Sequence, residues 1–127
     1  MGHVLAIAIG GAVGAVSRYG VNKACLRWLG PHFAFGTLAV NVLGCFLLGL
    51  LFSIRDFDSP RWNDVTHTGV TIGFLGALTT FSTFGLETTR YFREAQHDLA
   101  LLNIAGNLVL GLAAVYCGLL LGRWFGG

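Results

Sequence analysis

The sequence predicts an all-α membrane protein with four transmembrane helices, the third broken at midspan, assembled as an antiparallel dual-topology homodimer. Three observations carry this. First, the 127 residues are 54% hydrophobic and 11% charged, with a mean hydropathy of +0.69, far from the averages of water-soluble domains. Second, a run of hydroxyl side chains, Thr79, Thr80, Ser82 and Thr83, interrupts the third apolar stretch. Third, the cationic residues are almost evenly shared between the two ends of the predicted bundle.

The apolar stretches place spans at about 4–28, 33–54, 65–93 and 99–123, joined by short connections. They form one transmembrane domain and leave almost nothing for a soluble one, so any activity lies within the membrane. The +2 net charge is small and dispersed, which excludes a nucleic-acid surface. Residues 4–17 resemble the apolar core of a secretory signal but follow no basic residue, and their glycines suit a packed helix. Position 6 is Ala, so the myristoylation pattern is not met. Cys25, Cys45 and Cys117 have no metal-like spacing and are expected to be small buried apolar residues.

In the first span, Gly10 and Gly14 have the spacing that lets helix backbones approach closely. Arg18 follows. A charge near a helix centre costs about 2.5–3.5 kcal/mol on insertion scales unless it reaches water or a partner. Arg18 therefore faces a cavity or partner, Glu87 being one candidate, or snorkels to the interface. Gly30-Pro31 ends the helix. On the second span Thr37, Asn41 and Gly44 recur at helical spacing and make one small, polar face. A carboxamide in hydrocarbon must be hydrogen-bonded, so Asn41 faces the bundle, as interhelical glue or as a pore-lining amide.

Asp58-Ser59-Pro60 reads as a helix-start signal before the third span. Glycines at 69, 73, 76 and 85 lower helix propensity and the hydroxyl run competes with the i to i−4 ladder, so the helix is expected to break near Thr79. Irregular backbone at membrane depth survives only where protein or a water-lined path satisfies it, which points to a binding site or pore. Beyond it, Glu87, Arg90, Arg93, Glu94 and Asp98 form a wet end. The fourth span places Asn103, Gly106, Asn107 and Gly111 along one face, and closes with Gly118 and Gly122 at packing spacing. His3, His32, His67 and His97 lie at span ends without ligand spacing, and Trp28, Trp62, Tyr91 and Trp124 form an aromatic belt.

Arg55, Arg61 and Arg123 fall on the side of the termini; Lys23, Arg27, Arg90 and Arg93 fall on the other. Three against four is too small a bias to orient the chain. Two oppositely inserted copies would pair about an axis in the membrane plane, with the break of each third helix near that axis. Carbonyls freed there would converge on one small cation.

The first-span pattern Gly10-Gly11-x-x-Gly14-Ala15-x-x-Arg18-Tyr19, the second-span Gly36-Thr37 with Asn41, Gly44, Phe46 and Gly49, and the third-span Gly73 to Phe84 followed by Glu87 together resemble the Fluc fluoride channels, also called CrcB proteins. The resemblance covers all four spans. It implies an antiparallel homodimer in the cell (inner) membrane with two pores that export fluoride passively and protect against its toxicity. It further implies pore phenylalanines at Phe81 and Phe84, a pore amide at Asn41, hydroxyls along the ion track at Ser82 and Thr83, and a structural sodium ion on the backbone carbonyls of Gly76 and Thr79. Where the family often has Tyr and, four residues later, Ser, this chain has Asn103 and Asn107. With Arg18 and Thr37 these are candidates for the pore or its vestibule, and Glu87 is a candidate for a structural ion pair.

The residues support that chemistry on their own. A desolvated anion needs donors, and Asn41, Ser82 and Thr83 supply them. Phenyl rings are positive at the edge, so Phe81 and Phe84 offer an anion a stabilising surface without a fixed charge that would trap it. The alternative is a small dual-topology multidrug or cation exporter, which needs a carboxylate embedded at midspan. Glu87 lies about 12 Å beyond Thr79, toward one interface, and is expected to cap a helix or pair with an arginine. A passive scaffold would explain the glycines but not the hydroxyl and amide cluster. No nucleophile and base pairing or metal set points to an enzyme.

Overall fold

The computed structural model describes residues 1–54 and 63–126. Among them are four helical spans apolar enough to cross a membrane, Gly2–Leu29, Phe35–Ser53, Asp64–Arg93 and His97–Gly126. The molecule is thus all-helical and multi-pass. Asp58-Ser59-Pro60, Arg55, Arg61 and Trp62, all invoked above, lie outside the described residues.

Helix α1 (Gly2–Leu29) stops at Gly30, whose φ of 79° suits a residue without a side chain and whose N–H donates to Leu26 O at 3.1 Å. Pro31 follows, with no N–H to continue the ladder. Helix α2 (Phe35–Ser53) returns across the bundle. The third span begins with α3 (Asp64–Thr68), capped by Asn63, whose side chain accepts the Val65 N–H at 3.0 Å. A π-helical stretch, Gly69–Leu75, runs into the single turn α4 (Gly76–Leu78). Thr79 and Thr80 are extended, at φ/ψ of −83/154° and −150/114°. Helix α5 (Phe81–Arg93) then starts on a cap made by Thr80 itself, whose hydroxyl accepts the Thr83 N–H at 3.3 Å. The fourth span comprises α6 (His97–Ala105), a second π-helical stretch at Gly106–Leu110, and α7 (Gly111–Gly126).

The spans pair chiefly as α1 with Gly69–Leu75, and α2 with α7. Glycine makes both contacts possible. A Cβ on Gly10 would strike the Gly69 carbonyl and one on Gly14 the Phe74 carbonyl, while Gly118 and Gly122 meet the α2 backbone at Phe46 and Leu50 in the same way. Both sequence pairs are therefore packing surfaces, as their spacing predicts. The apolar core is small: Val40, Leu75 and Leu78, flanked by Val21, Leu47, Leu51 and Phe74. Most large apolar side chains, among them Ile9, Val16, Leu102, Leu112 and Tyr116, face outward on the single chain.

The expectation for cysteine fails. Cys25 and Cys45 are only half-buried, each in the wall of a cavity, and Cys117 is exposed, an outward position that an apolar thiol tolerates in a membrane-spanning helix. The aromatic belt is present among the described residues: Trp28 and Trp124 are exposed near span ends, and Tyr91 stacks on Phe33 at 6.1 Å. Of the histidines, His3 pairs with Asp64 at 2.7 Å and ties the start of α1 to the start of α3.

Candidate functional site

The site is built on the two extended residues. In an uninterrupted helix the N–H of Thr80 would bond the Gly76 carbonyl and that of Thr83 the Thr79 carbonyl. Here the Thr80 N–H donates to Asn41 Oδ1 at 2.8 Å and the Thr83 N–H goes to the Thr80 hydroxyl. Gly76 and Thr79, the two positions assigned to a cation by resemblance, thus each have a carbonyl whose helical donor is engaged elsewhere. Oxygen donors of this kind suit a hard cation such as sodium.

Asn41 reaches the two extended residues from α2 because its face is kept narrow. A Cβ on Gly44 would collide with the methyl of Thr79, so glycine there lets α2 lie against the extended residues. The Asn41 amide then closes a two-way pair with Thr80, its Nδ2 donating to the Thr80 carbonyl at 3.2 Å. Its second N–H donates to Asn107 Oδ1 at 2.9 Å. Asn107 in turn donates to the carbonyl and Oδ1 of Asn103, at 2.9 and 3.1 Å, and Asn103 donates to Thr88 Oγ1 at 3.0 Å. Asn103 is fully buried and its polar atoms are satisfied within the protein.

Asn41, Gly76, Thr79, Phe81, Phe84 and Asn107 line one cavity of about 360 Å³, completed by Gly44, Cys45, Leu48, Thr71, Leu75, Thr80 and Leu108. No charged side chain is among these. Phe81 is 81% exposed and Phe84 half-buried, with ring centroids 5.5 Å apart and planes tilted by 56°. Ser82 is exposed beside them, with its hydroxyl 3.4 Å from that of Thr80. Thr83 Oγ1 accepts from Thr80 Oγ1 at 3.0 Å, which leaves its own hydroxyl hydrogen uncommitted among the described residues.

Thr37 and Glu87 lie elsewhere, at the wet end, in the wall of a second cavity of about 710 Å³ that also includes Asn22, His32, Arg90, Tyr91 and Glu94. Glu87 does not form the ion pair expected of it. Its Oε1 accepts from the buried hydroxyl of Thr37 at 2.8 Å, Oε2 is buried without a hydrogen-bond partner, and no cation stands within ion-pair distance among the described residues. The Thr37 hydroxyl on the second span is within hydrogen-bond reach, whereas Arg90, which shares the cavity wall, stays beyond ion-pair distance. Arg18 is half-buried, lines neither cavity, and is not joined to Glu87. Thr88 was not singled out by the sequence, since nothing local links it to Asn103, and neither π-helical stretch was anticipated.

A profile described as CrcB-like protein, Camphor Resistance (CrcB), matches residues 5–119. A curated protein from Dehalococcoides mccartyi named fluoride-specific ion channel FluC is 48% identical over 122 residues, covering 96% of this chain and 93% of its own. Proteins of the same name from Magnetococcus marinus and Shewanella amazonensis are 44% and 43% identical, covering 92% and 93% of this chain and 94% of each of their own.

Proposed function

The chain belongs to the CrcB-like family, and from that premise we propose that it is a fluoride-selective channel giving passive export of fluoride across the cell (inner) membrane. The observation that carries the reading is the uncharged cavity in which Asn41, the extended Thr79 and Thr80, and the rings of Phe81 and Phe84 converge. The name shared by the relatives, at 48% identity for the first, supplies the ion.

A small anion shed of water needs donors that are positioned yet weak enough to release it. The hydroxyls of Ser82 and Thr83 are two such donors, and the Asn41 amide a third through its longer bond, the 3.2 Å contact with the Thr80 carbonyl. Ring edges of Phe81 and Phe84 add a positive electrostatic surface without fixed charge. A lysine or arginine in this cavity would hold the ion; among the described residues none lines it. Protection follows from the chemistry of the acid: hydrogen fluoride that enters and dissociates leaves an anion that can exit only through such a path.

The working form is an antiparallel dual-topology homodimer, in which the interruption of the third helix serves as a functional break. Phe81 is largely exposed on a single chain, and the carbonyls of Gly76 and Thr79 border the same open cavity. A second, inverted copy would cover both. Gly76 and Thr79 of each copy would hold a structural sodium ion, which when bound neutralises the converging carbonyl dipoles. The small-exporter alternative needs a midspan carboxylate, whereas Glu87 lies in the wet-end cavity, and the relatives above carry the channel name.

The test is efflux from liposomes carrying the purified protein, read with a fluoride electrode and repeated with chloride. Rapid, uncoupled, fluoride-only release is expected. Proton-coupled movement of an organic cation without fluoride release would replace this reading with the exporter.

A further inference from the structure

The hydrogen bonds that begin at Thr80 run in one direction and return to the same helix. The Thr80 N–H donates to Asn41, Asn41 to Asn107, Asn107 to Asn103, Asn103 to Thr88, and the Thr88 hydroxyl donates to the Phe84 carbonyl at 2.8 Å. The first group is a backbone N–H, which only donates, and the last a backbone carbonyl, which only accepts. The sense of every amide between them is therefore fixed from both ends, and no single one turns over without setting donor against donor or acceptor against acceptor. The circuit encloses Phe81, Ser82 and Thr83, the first turn of α5.

We propose that Asn103 and Thr88 are positioning residues for the ion path, acting through Asn107 and Asn41 on the orientation of the break and of the first turn of α5. Neither lines the cavity, and Asn103 is 0% and Thr88 8% exposed, so neither meets the ion. Their effect is transmitted. Thr88 gives Asn103 an acceptor inside the protein; without it the buried Nδ2 must seek another, and a turn of the Asn103 amide toward one disturbs the Oδ1 that accepts from Asn107. The role rests on the channel reading for its consequence, but the coupling itself does not.

The experiment measures two quantities on the reconstituted protein: fluoride efflux, and hydrogen exchange at the Thr80 backbone N–H, four bonds of the circuit away from Thr88. Thr88→Val is expected to speed exchange at Thr80 by about tenfold, the loss of roughly one hydrogen bond's protection, and to slow efflux by a similar factor. Thr88→Ser restores both, and amides of α7 stay unchanged in each. If Thr88→Val does not assemble, Asn103→Ser replaces it, being small and polar but too short to reach from Asn107 to Thr88. Faster exchange confined to residues 84–88, with Thr80 and efflux as in the parent, overturns the proposal. A parent protein that releases no fluoride while Thr80 still responds to Thr88→Val overturns the channel reading and upholds the circuit.

Discussion

Asn41 and Thr80 exchange two hydrogen bonds, the Thr80 N–H to Oδ1 at 2.8 Å and Nδ2 to the Thr80 carbonyl at 3.2 Å. A side chain of the second span thus does for the third what the turns on either side of Thr80 would have done. Water is not at hand in a bilayer to satisfy an interrupted ladder, so the interruption depends on this amide.

Asn41→Leu is accordingly expected to remove both partners of Thr80 and to destabilise the protein by about 1–3 kcal/mol for each buried group left unpaired. Asn41→Asp keeps the acceptor but loses the donor and adds a negative charge to the cavity. Near-complete loss of fluoride efflux is expected of it, with chloride efflux as the control. Throughput at the parent level in the Asp variant would confine Asn41 to holding the break.

Phe81→Ile and Phe84→Ile test the aromatic edges. Phe81 is exposed on the single chain, so its replacement removes little packing there. Both variants are expected to run as the parent does on size-exclusion chromatography and to pass little fluoride. Undiminished efflux in both would sink the account of ring edges as the anion's partners.

Gly14→Val tests the pairing of the first and third spans. The new side chain would meet the Phe74 carbonyl, which is backbone and has no rotamer to move into. Overpacking of this kind costs about 1–3 kcal/mol, read as a lower thermal midpoint in detergent. Gly20→Val, whose Cβ meets no atom within 4 Å, serves as the matched control with little effect.

On the proposed role of Gly76 and Thr79, sodium that binds the folded protein and not the unfolded chain would raise stability by mass action. Purification with sodium replaced by a large organic cation is expected to lower the thermal midpoint, and returning sodium to restore it. A midpoint indifferent to sodium would remove the ion from Gly76 and Thr79.

The spans were legible because hydropathy over about 20 residues is a property of the sequence alone. So was the oddness of Thr79 to Phe84, where hydroxyls stand in a stretch otherwise apolar. Partner choice was not. Glu87 was matched to an arginine by charge, yet in the bundle it meets Thr37, because helix packing decides which side chains come within reach. Asn103 and Thr88 lie 15 residues apart on different helices, with a turn at Glu94–Gln96 between them, and no periodicity relates them. Glycine at 69 and 73 signalled weak helix but not its kind, since low propensity does not distinguish a π turn from an α turn.

The pairing of first span with third and of second with fourth bears on how the chain is made. As spans leave the ribosome in order, α1 waits for Gly69–Leu75 to arrive before its glycine face is covered, and α2 waits for α7. Asn41 cannot complete its bonds until Asn107, the last of its partners to be synthesised, has entered the membrane. Assembly is therefore decided only once the fourth span has been made, and a ribosome that stops after the third span would release a protein with a polar amide still seeking its partner in lipid.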